Sequence, residues 1–351
     1  MSSYFRPAVA AMTGYIPGEQ PRPGTPVIKL NTNENPYPPS PEAIAVLQTL
    51  DSEWLRRYPT PYADDFRQAV SQVFAVPMDW IMVTNGSDEL LNLLVRACAD
   101  SDRPVVYPTP TYVLYKTLAE MQPAKVLEIP YDDDHRLPVE ALIAAQGAVT
   151  FIASPNSPSG YSAPIADLRQ LAAGLSGILV VDEAYVDFAE ETALSLVHEF
   201  ENVIISRTLS KGYSLAGLRL GFGLAQPSLL SGLFKIKDSY NVDAIACLVG
   251  AAAMRDQAYK DACAAKVKAS RQTLAIALKQ LGFQVPEHVQ TNFLLVTVPS
   301  HGNAGALYQG LKDRGILVRY FSHSGLENKL RITVGTDEQN DLLIEALSSL
   351  L

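Results

Sequence analysis

Three polar residues in the middle of the chain each follow a short apolar run. Asp182 closes ILVVD (178–182), Asn156 lies just past VTFIA (149–153), and Lys211 lies past NVIIS (202–206). Taken singly, Asp182 reads as a helix cap or turn acid and Lys211 as a solvated loop lysine. Brought together, they suit another chemistry. A desolvated lysine forms a Schiff base readily, because burial lowers its proton affinity. A carboxylate facing a pyridine nitrogen keeps that nitrogen protonated, which makes the ring an electron sink. A phosphate is held by N–H groups at a helix start, by hydroxyls and by an arginine. Gly86, Ser87 and Asp88 open a helical pattern, Thr208 and Ser210 flank Lys211, and Arg219 follows shortly after. The set asks for pyridoxal 5'-phosphate.

For these residues to meet, the runs that carry them must lie side by side. Apolar spacing predicts helices over 41–50, 63–75, 87–98 and 164–173. Short Val/Ile/Leu-rich runs at 104–107, 125–129, 149–153, 178–182, 202–206 and 219–224 read as strands buried on both faces. Strands interleaved with helices imply an α/β fold on a mostly parallel sheet, whose ligands collect at the carboxyl ends of the strands. Residues 1–40 are rich in Pro, Gly and Asn but interrupted by Tyr15, Ile16, Val27, Ile28 and Leu30. They are expected to form an ordered N-terminal arm. Residues 41–240 are expected to form the large cofactor-binding domain. An alanine-rich helical stretch then runs to about 281, with a break expected near 250–256, followed by strand-like 293–298, 316–319 and 330–334 and helices near 303–313 and 337–350. These predict a smaller α+β domain over 241–351, with the arm packing near it.

Composition narrows the class. Lys+Arg 28 against Asp+Glu 37 gives a net charge of −9, unlike a nucleic-acid-binding surface. The longest apolar stretch, 244–254, is too short to span a bilayer, and MSSYFRPAVAAM does not read as a secretory leader. Cys98, Cys247 and Cys263 sit in alanine-rich helical contexts and are expected to be reduced thiols. The histidines show no ligand spacing, so no metal is expected. A cytoplasmic enzyme with small-molecule substrates is the expectation, with neither nucleic acid nor membrane as partner. The glycines of GLRLGFG (217–223) do not make the dinucleotide-binding pattern.

The segments LNTNENPYPP (30–39), RYPTPYADDFRQAV (57–70), TNGSDELL (84–91), SPNSPSG (154–160), VVDEAYVDF (180–188), SRTLSKGYSLAGLRLG (206–221) and LRITVGT (330–336) span nearly the whole chain. In that order they resemble the fold-type I, class II-like aminotransferases. The resemblance implies that Lys211 holds the cofactor and then shuttles the substrate proton. It implies that Asp182 pairs with the pyridinium nitrogen, Tyr185 and Asn156 with the phenolic oxygen, and that Tyr112 stacks on the ring. Gly86, Ser87, Asp88, Thr208, Ser210 and Arg219 would surround the phosphate. Tyr58 would reach the phosphate of a neighbouring subunit, which implies a homodimer with shared sites. Thr84, Thr60 and Gly212–Tyr213 depart from the family's usual Gly, Asp and Ala-Phe-like residues.

The resemblance also bears on substrate. Arg331 would take an anionic group, and Arg319 would add the second cation that a dianionic phosphate favours. Tyr15 on the arm would close over the substrate, which Asn156 also borders. The implied reaction moves an amino group between L-histidinol phosphate and 2-oxoglutarate, giving imidazole-acetol phosphate and glutamate. The alternative is transamination of aromatic amino acids on the same scaffold. That reaction would keep Arg331 but not need Arg319.

Overall fold

The structure is a computed structural model that describes residues 4–14, 18–22, 24–132, 136–322 and 325–351. The chain opens with helix α1 (Pro7–Ala11) and strand β1 (Ile28–Lys29). Next come α2 (Pro41–Thr49), α3 (Ser52–Arg56), α4 (Asp64–Phe74), β2 (Ile81–Asn85), α5 (Gly86–Cys98), β3 (Val105–Thr109) and α6 (Leu114–Met121). They are followed by β4 (Val126–Pro130), α7 (Val139–Ala144), β5 (Val149–Ala153), α8 (Ile165–Gly174), β6 (Ile178–Asp182), α9 (Leu196–Glu199) and β7 (Val203–Thr208). Then come β8 (Leu220–Ala225), α10 (Pro227–Phe234), α11 (Ala244–Arg255), α12 (Gln257–Gln280), β9 (Phe293–Thr297) and α13 (Ala304–Asp313). The last elements are β10 (Ile316–Leu317), β11 (Arg319–Tyr320), β12 (Lys329–Thr333) and α14 (Asp337–Leu350).

Seven strands form the main sheet, in the order β2-β8-β7-β6-β5-β3-β4. β8 runs antiparallel to both of its neighbours, and the other pairs are parallel. Two antiparallel steps bring β2 back into line with the rest. The carboxyl ends of β2, β3, β5, β6 and β7 and the start of β8 therefore share one edge. The strand runs lack polar alternation because both faces are covered. Val181 and Ile205 join the core that α4, α8 and α11 complete, while their neighbours Val180 and Ile204 join the one completed by α5, α6 and α10. Each such side chain contributes on the order of 2 kcal/mol through burial.

The helical stretch after residue 240 divides at Asp256. Helix α11 packs on α2 and α4, and its Ala246, Val249 and Met254 lie in the main sheet's core, so that layer extends past 240 to Arg255. At Asp256 the backbone leaves the helix, and the carboxylate caps α12 by accepting from the Tyr259 N–H (3.3 Å). The same carboxylate accepts from Ser40 (2.5 Å), whose hydroxyl caps α2. Helix α12 then enters a second core, where Leu274 and Leu278 meet Leu294, Val296, Leu330 and Ile332 of the antiparallel β11-β12-β9 sheet. A Thr336–Gln339 capping box starts α14, which closes this core. Two features of the arm join it to the same unit: β1 pairs in parallel with β10, and Leu30 is buried in the second core. The expected strand 316–319 is two strands. At Val318, buried in that core, the chain leaves β1 for β12. No helix among the described residues is long and apolar enough to cross a membrane.

Candidate active site

The strand-end edge of the main sheet, the arm and the β11/β12 pair enclose a cavity of about 700 Å³. β6 presents Asp182 to it, β7 ends on Thr208, and the turn after β7 presents Ser210 and Lys211. The start of α5 presents Ser87 and Asp88, while Tyr112, Tyr185, Arg219, Arg319 and Arg331 complete the wall.

Asp182 is the electrostatic centre of this cavity. Burial pushes its carboxyl pKa up to about 6, against the opposing hydrogen bond from the Tyr115 hydroxyl (2.8 Å), and nearby Asp88 raises it further. Its Oδ1 is buried and accepts no hydrogen bond from the described residues. An acceptor left in that state wants a donor with positive charge, and a pyridinium N–H is one. The next residue fixes the strand end. Glu183 pairs with Arg207 at 2.7 Å, both side chains almost wholly buried, and accepts from the Ala193 N–H at 2.6 Å.

Beyond β2 the chain makes an anion cradle. The N-cap position of α5, Asn85, makes no side-chain cap, so the first N–H groups of the helix are not taken by a capping oxygen. Gly86 adopts φ +71°, and a Cβ there would lie 2.9 Å from Arg219 Nη2. On the facing strand, a Cβ at Gly221 would lie 2.5 Å from the Ser87 nitrogen. The two glycines let β8 and Arg219 close on the helix start. Thr208 Oγ1 donates to Ser210 Oγ (3.0 Å) on the same side, and Asp88 accepts from Arg219 (3.2 Å) and from the Tyr112 hydroxyl (3.3 Å). Hydroxyls, helix N–H groups and an arginine are the donors that a phosphate requires. Both ends of pyridoxal phosphate therefore find fitting groups.

The opposite wall is cationic. Arg319 and Arg331 are directly paired across β11 and β12, which puts both on one face. Arg331 donates to Ser157 Oγ and to the Asn31 carbonyl (both 3.1 Å), and its guanidinium lies over Phe293 and Phe321. Like charges placed opposite each other repel, and an anion between them removes that cost.

Between the two ends lies Lys211, whose Nζ donates to the Thr32 carbonyl (3.2 Å) and sits 5.9 Å from the centre of the Tyr185 ring. The departure at Gly212 has a local cause. A Cβ there would lie 2.1 Å from Asp187 Oδ2, and Asp187 pairs with Lys260 of α12 at 3.2 Å. Glycine lets the lysine turn pack this closely on Asp187, which Lys260 of α12 holds in place.

Two of the expected site residues do not line the cavity, besides Gly86 at its back. Asn156 is fully buried, with Nδ2 donating to the Pro110 carbonyl (3.1 Å) and Ser159 Oγ (2.9 Å) and Oδ1 accepting from Thr111 (2.7 Å). Its amide hydrogens are thus spent bracing the loop after β5. Tyr58 is 81% exposed, stacks on Tyr240 at 4.4 Å, and lines a separate hollow beside α3. Tyr15 lies outside the described residues. Two further residues belong to the site although neither figures among the sequence candidates. Tyr115 holds Asp182, and Asn33 donates to the Tyr185 hydroxyl (2.8 Å). The placement of Tyr115 in the first turn of α6, three residues after Tyr112, was the available signal for the first. For the second it was the polar run NTNEN inside an otherwise buried segment.

A family model for aminotransferase class I and II matches residues 25–347. Histidinol-phosphate aminotransferase 1 of Nostoc sp. is 66% identical over 351 residues, covering 100% of this chain and 99% of that protein. Histidinol-phosphate aminotransferase of Citrifermentans bemidjiense is 43% identical over 99% of this chain and 98% of its own length. Among solved structures, histidinol-phosphate aminotransferase from Sinorhizobium meliloti in complex with pyridoxal-5'-phosphate superposes with a TM-score of 0.90. It is 27% identical and covers 100% of this chain and 98% of that one.

Proposed function

The chain belongs to the class I and II aminotransferase family, and we propose that it carries the amino group of L-histidinol phosphate to 2-oxoglutarate in histidine biosynthesis. The products are imidazole-acetol phosphate and glutamate. It is a pyridoxal-phosphate-dependent enzyme, and the bound cofactor supplies a ring that accepts the electron pair left at the substrate's Cα.

The chain's own residues divide the remaining work. Ser87, Thr208, Ser210, Arg219 and the N–H groups opening α5 hold the cofactor phosphate, with Gly86 and Asp88 shaping that end. Asp182 Oδ1 takes the ring N–H, Tyr112 covers the ring face, and Tyr185 donates to the phenolic oxygen. Asn156 acts from behind the wall, where its amide braces the loop after β5. Lys211 Nζ leaves the Thr32 carbonyl, removes the Cα proton of the substrate as general base and holds it for return. Arg319 and Arg331 bind the substrate phosphate, and in the second half-reaction a carboxylate of 2-oxoglutarate. Tyr15 closes over the substrate from the arm. Tyr58 reaches the cofactor phosphate of a second copy, in a cytoplasmic homodimer with shared sites.

The observation that carries the substrate assignment is the direct pairing of Arg319 with Arg331 at the wall that faces Lys211. A monoanionic carboxylate needs one such arginine; a phosphate dianion uses both. The test follows the absorbance of cofactor-loaded enzyme during single half-reactions without keto acid. Histidinol phosphate is expected to convert it far faster than phenylalanine does. Arg319→Ala is expected to cost histidinol phosphate roughly tenfold to a hundredfold in kcat/KM, the worth of one charge-assisted contact, and phenylalanine much less. The reverse order of substrates would assign the site to aromatic amino acids.

A further inference from the structure

The Asn31–Asn33 segment threads between the two cores, and each of its residues meets a different group of the cavity. The Asn31 carbonyl accepts from Arg331, the Thr32 carbonyl accepts from Lys211, and Asn33 Nδ2 donates to Tyr185 Oη. The last contact has a direction that agrees with the surrounding bonds. The backbone N–H of Asn33 donates to Thr333 Oγ1 (3.0 Å), and the Thr333 hydroxyl donates to Asn33 Oδ1 (3.1 Å). With Oδ1 fixed as the acceptor, the end of the amide that faces Tyr185 is the NH2, which can only donate. A phenol that receives this bond keeps its own hydrogen for another acceptor, and Tyr185 borders the cavity. The backbone holds the arrangement in place. Asn33 is 2% exposed, adopts φ +57°, which asparagine tolerates better than most residues, and its carbonyl accepts from Asn292 Nδ2 (2.9 Å).

We propose that Asn33 is a positioning residue that sets the direction of the Tyr185 hydroxyl hydrogen, aiming it at the phenolic oxygen of bound pyridoxal phosphate. This rests on the placement of Tyr185 proposed above. A hydrogen bond donated to that oxygen draws off its negative charge, so it holds the neighbouring proton on the Lys211-derived nitrogen less tightly. Asn33→Asp keeps shape and backbone preference but turns the donor into an acceptor, and the Tyr185 hydrogen then swings away from the cavity. Asn33→Gly fits the same backbone and merely releases the hydroxyl.

The test is the pH dependence of the visible absorbance of cofactor-loaded enzyme, which reads proton affinity and not turnover. Tyr185→Phe and Asn33→Asp are each expected to raise the midpoint by about one pH unit, a tenfold gain in proton affinity. Asn33→Gly is expected to raise it by less, and it keeps the test decisive if Asn33→Asp does not fold. In the Tyr185→Phe background, Asn33→Asp is expected to add little. The other charged groups that line the cavity, Glu34, Asp88, Lys116, Glu128, Asp182, Arg219, Arg319 and Arg331, are unchanged in every variant. An Asn33→Asp shift that persists in full without the Tyr185 hydroxyl is a plain charge effect and overturns the proposal. So does a Tyr185→Phe shift that neither Asn33 variant reproduces. No shift in Tyr185→Phe itself removes Tyr185 from the phenolic oxygen, and that overturns both the proposal and the placement it rests on.

Discussion

Asp182 shows how one residue trades stability for chemistry. Its carboxyl is buried and titrates near 6 instead of 3.8, so between those values the native chain holds a proton that the unfolded chain has lost. Stability from this group therefore falls as pH rises through that window and stays lost above it. Asp182→Asn has no charge to bury. Without cofactor, this variant is expected to melt higher than the parent at pH 7.5, with the difference narrowing toward pH 4. With cofactor, the order reverses, because the parent gains the ring N–H bond. Scanning calorimetry at the two pH values checks both; a difference that does not change with pH would trace the gain to packing. Asp182, Lys211 and Arg219 stood out as candidates in the sequence because Asp182 closes an apolar run, Lys211 follows one and Arg219 opens one, and each has a residue type with a narrow chemical use. Tyr115 and Asn33 were not. One reads as an ordinary aromatic of an amphipathic helix, and the other acts only through an amide orientation that Thr333, 300 residues away, imposes.

At the scale of elements, the anion cradle depends on how closely β8 approaches the start of α5. A Cβ at Gly221 would meet the Ser87 nitrogen at 2.5 Å and the Gly86 carbonyl carbon at 2.6 Å, backbone atoms that cannot step aside. Gly221→Ala is expected to spread the strand from the helix and weaken pyridoxal phosphate binding at least tenfold, about 1.4 kcal/mol. Gly232→Ala, in the open on α10, is expected to leave it unchanged. Fluorescence titration of the cofactor-free protein separates the two; equal affinities would mean that the cradle does not need the close approach. The parallel strands were readable because two-sided burial leaves unbroken Val/Ile/Leu runs, and 149–153 and 178–182 match the structure residue for residue. β2 and α10 were not read, since β2 has only three apolar residues before Thr84 and Asn85 and α10 is apolar on nearly every side. The split between β10 and β11 is a change of partner, which no spacing records.

The whole molecule leaves one side conspicuously apolar. Trp54, Leu55, Tyr58, Tyr62 and Tyr240 are all exposed around α3, and Tyr58 and Tyr240 stack beside a hollow of about 320 Å³. Aromatic residues gathered on an exposed patch are characteristic of protein interfaces. Tyr58 does not border the cavity of its own chain, so the phosphate contact proposed for it requires a second copy. That separation makes the shared-site dimer testable by mixing. Lys211→Ala abolishes activity within its own site, whereas Tyr58→Ala weakens the site of its neighbour. In a hybrid of the two, the cavity of the Tyr58→Ala chain keeps its Lys211 and receives an intact Tyr58. The other cavity lacks both. After unfolding and refolding together in equal amounts, half of the dimers are hybrids, so about one quarter of all sites regain both groups. The mixture is expected to exceed the summed activity of the separate variants at limiting cofactor, where loss of a phosphate contact is felt most. Activity equal to that sum would place Tyr58 outside the neighbour's site and leave the exposed aromatic face to pack without taking part in catalysis.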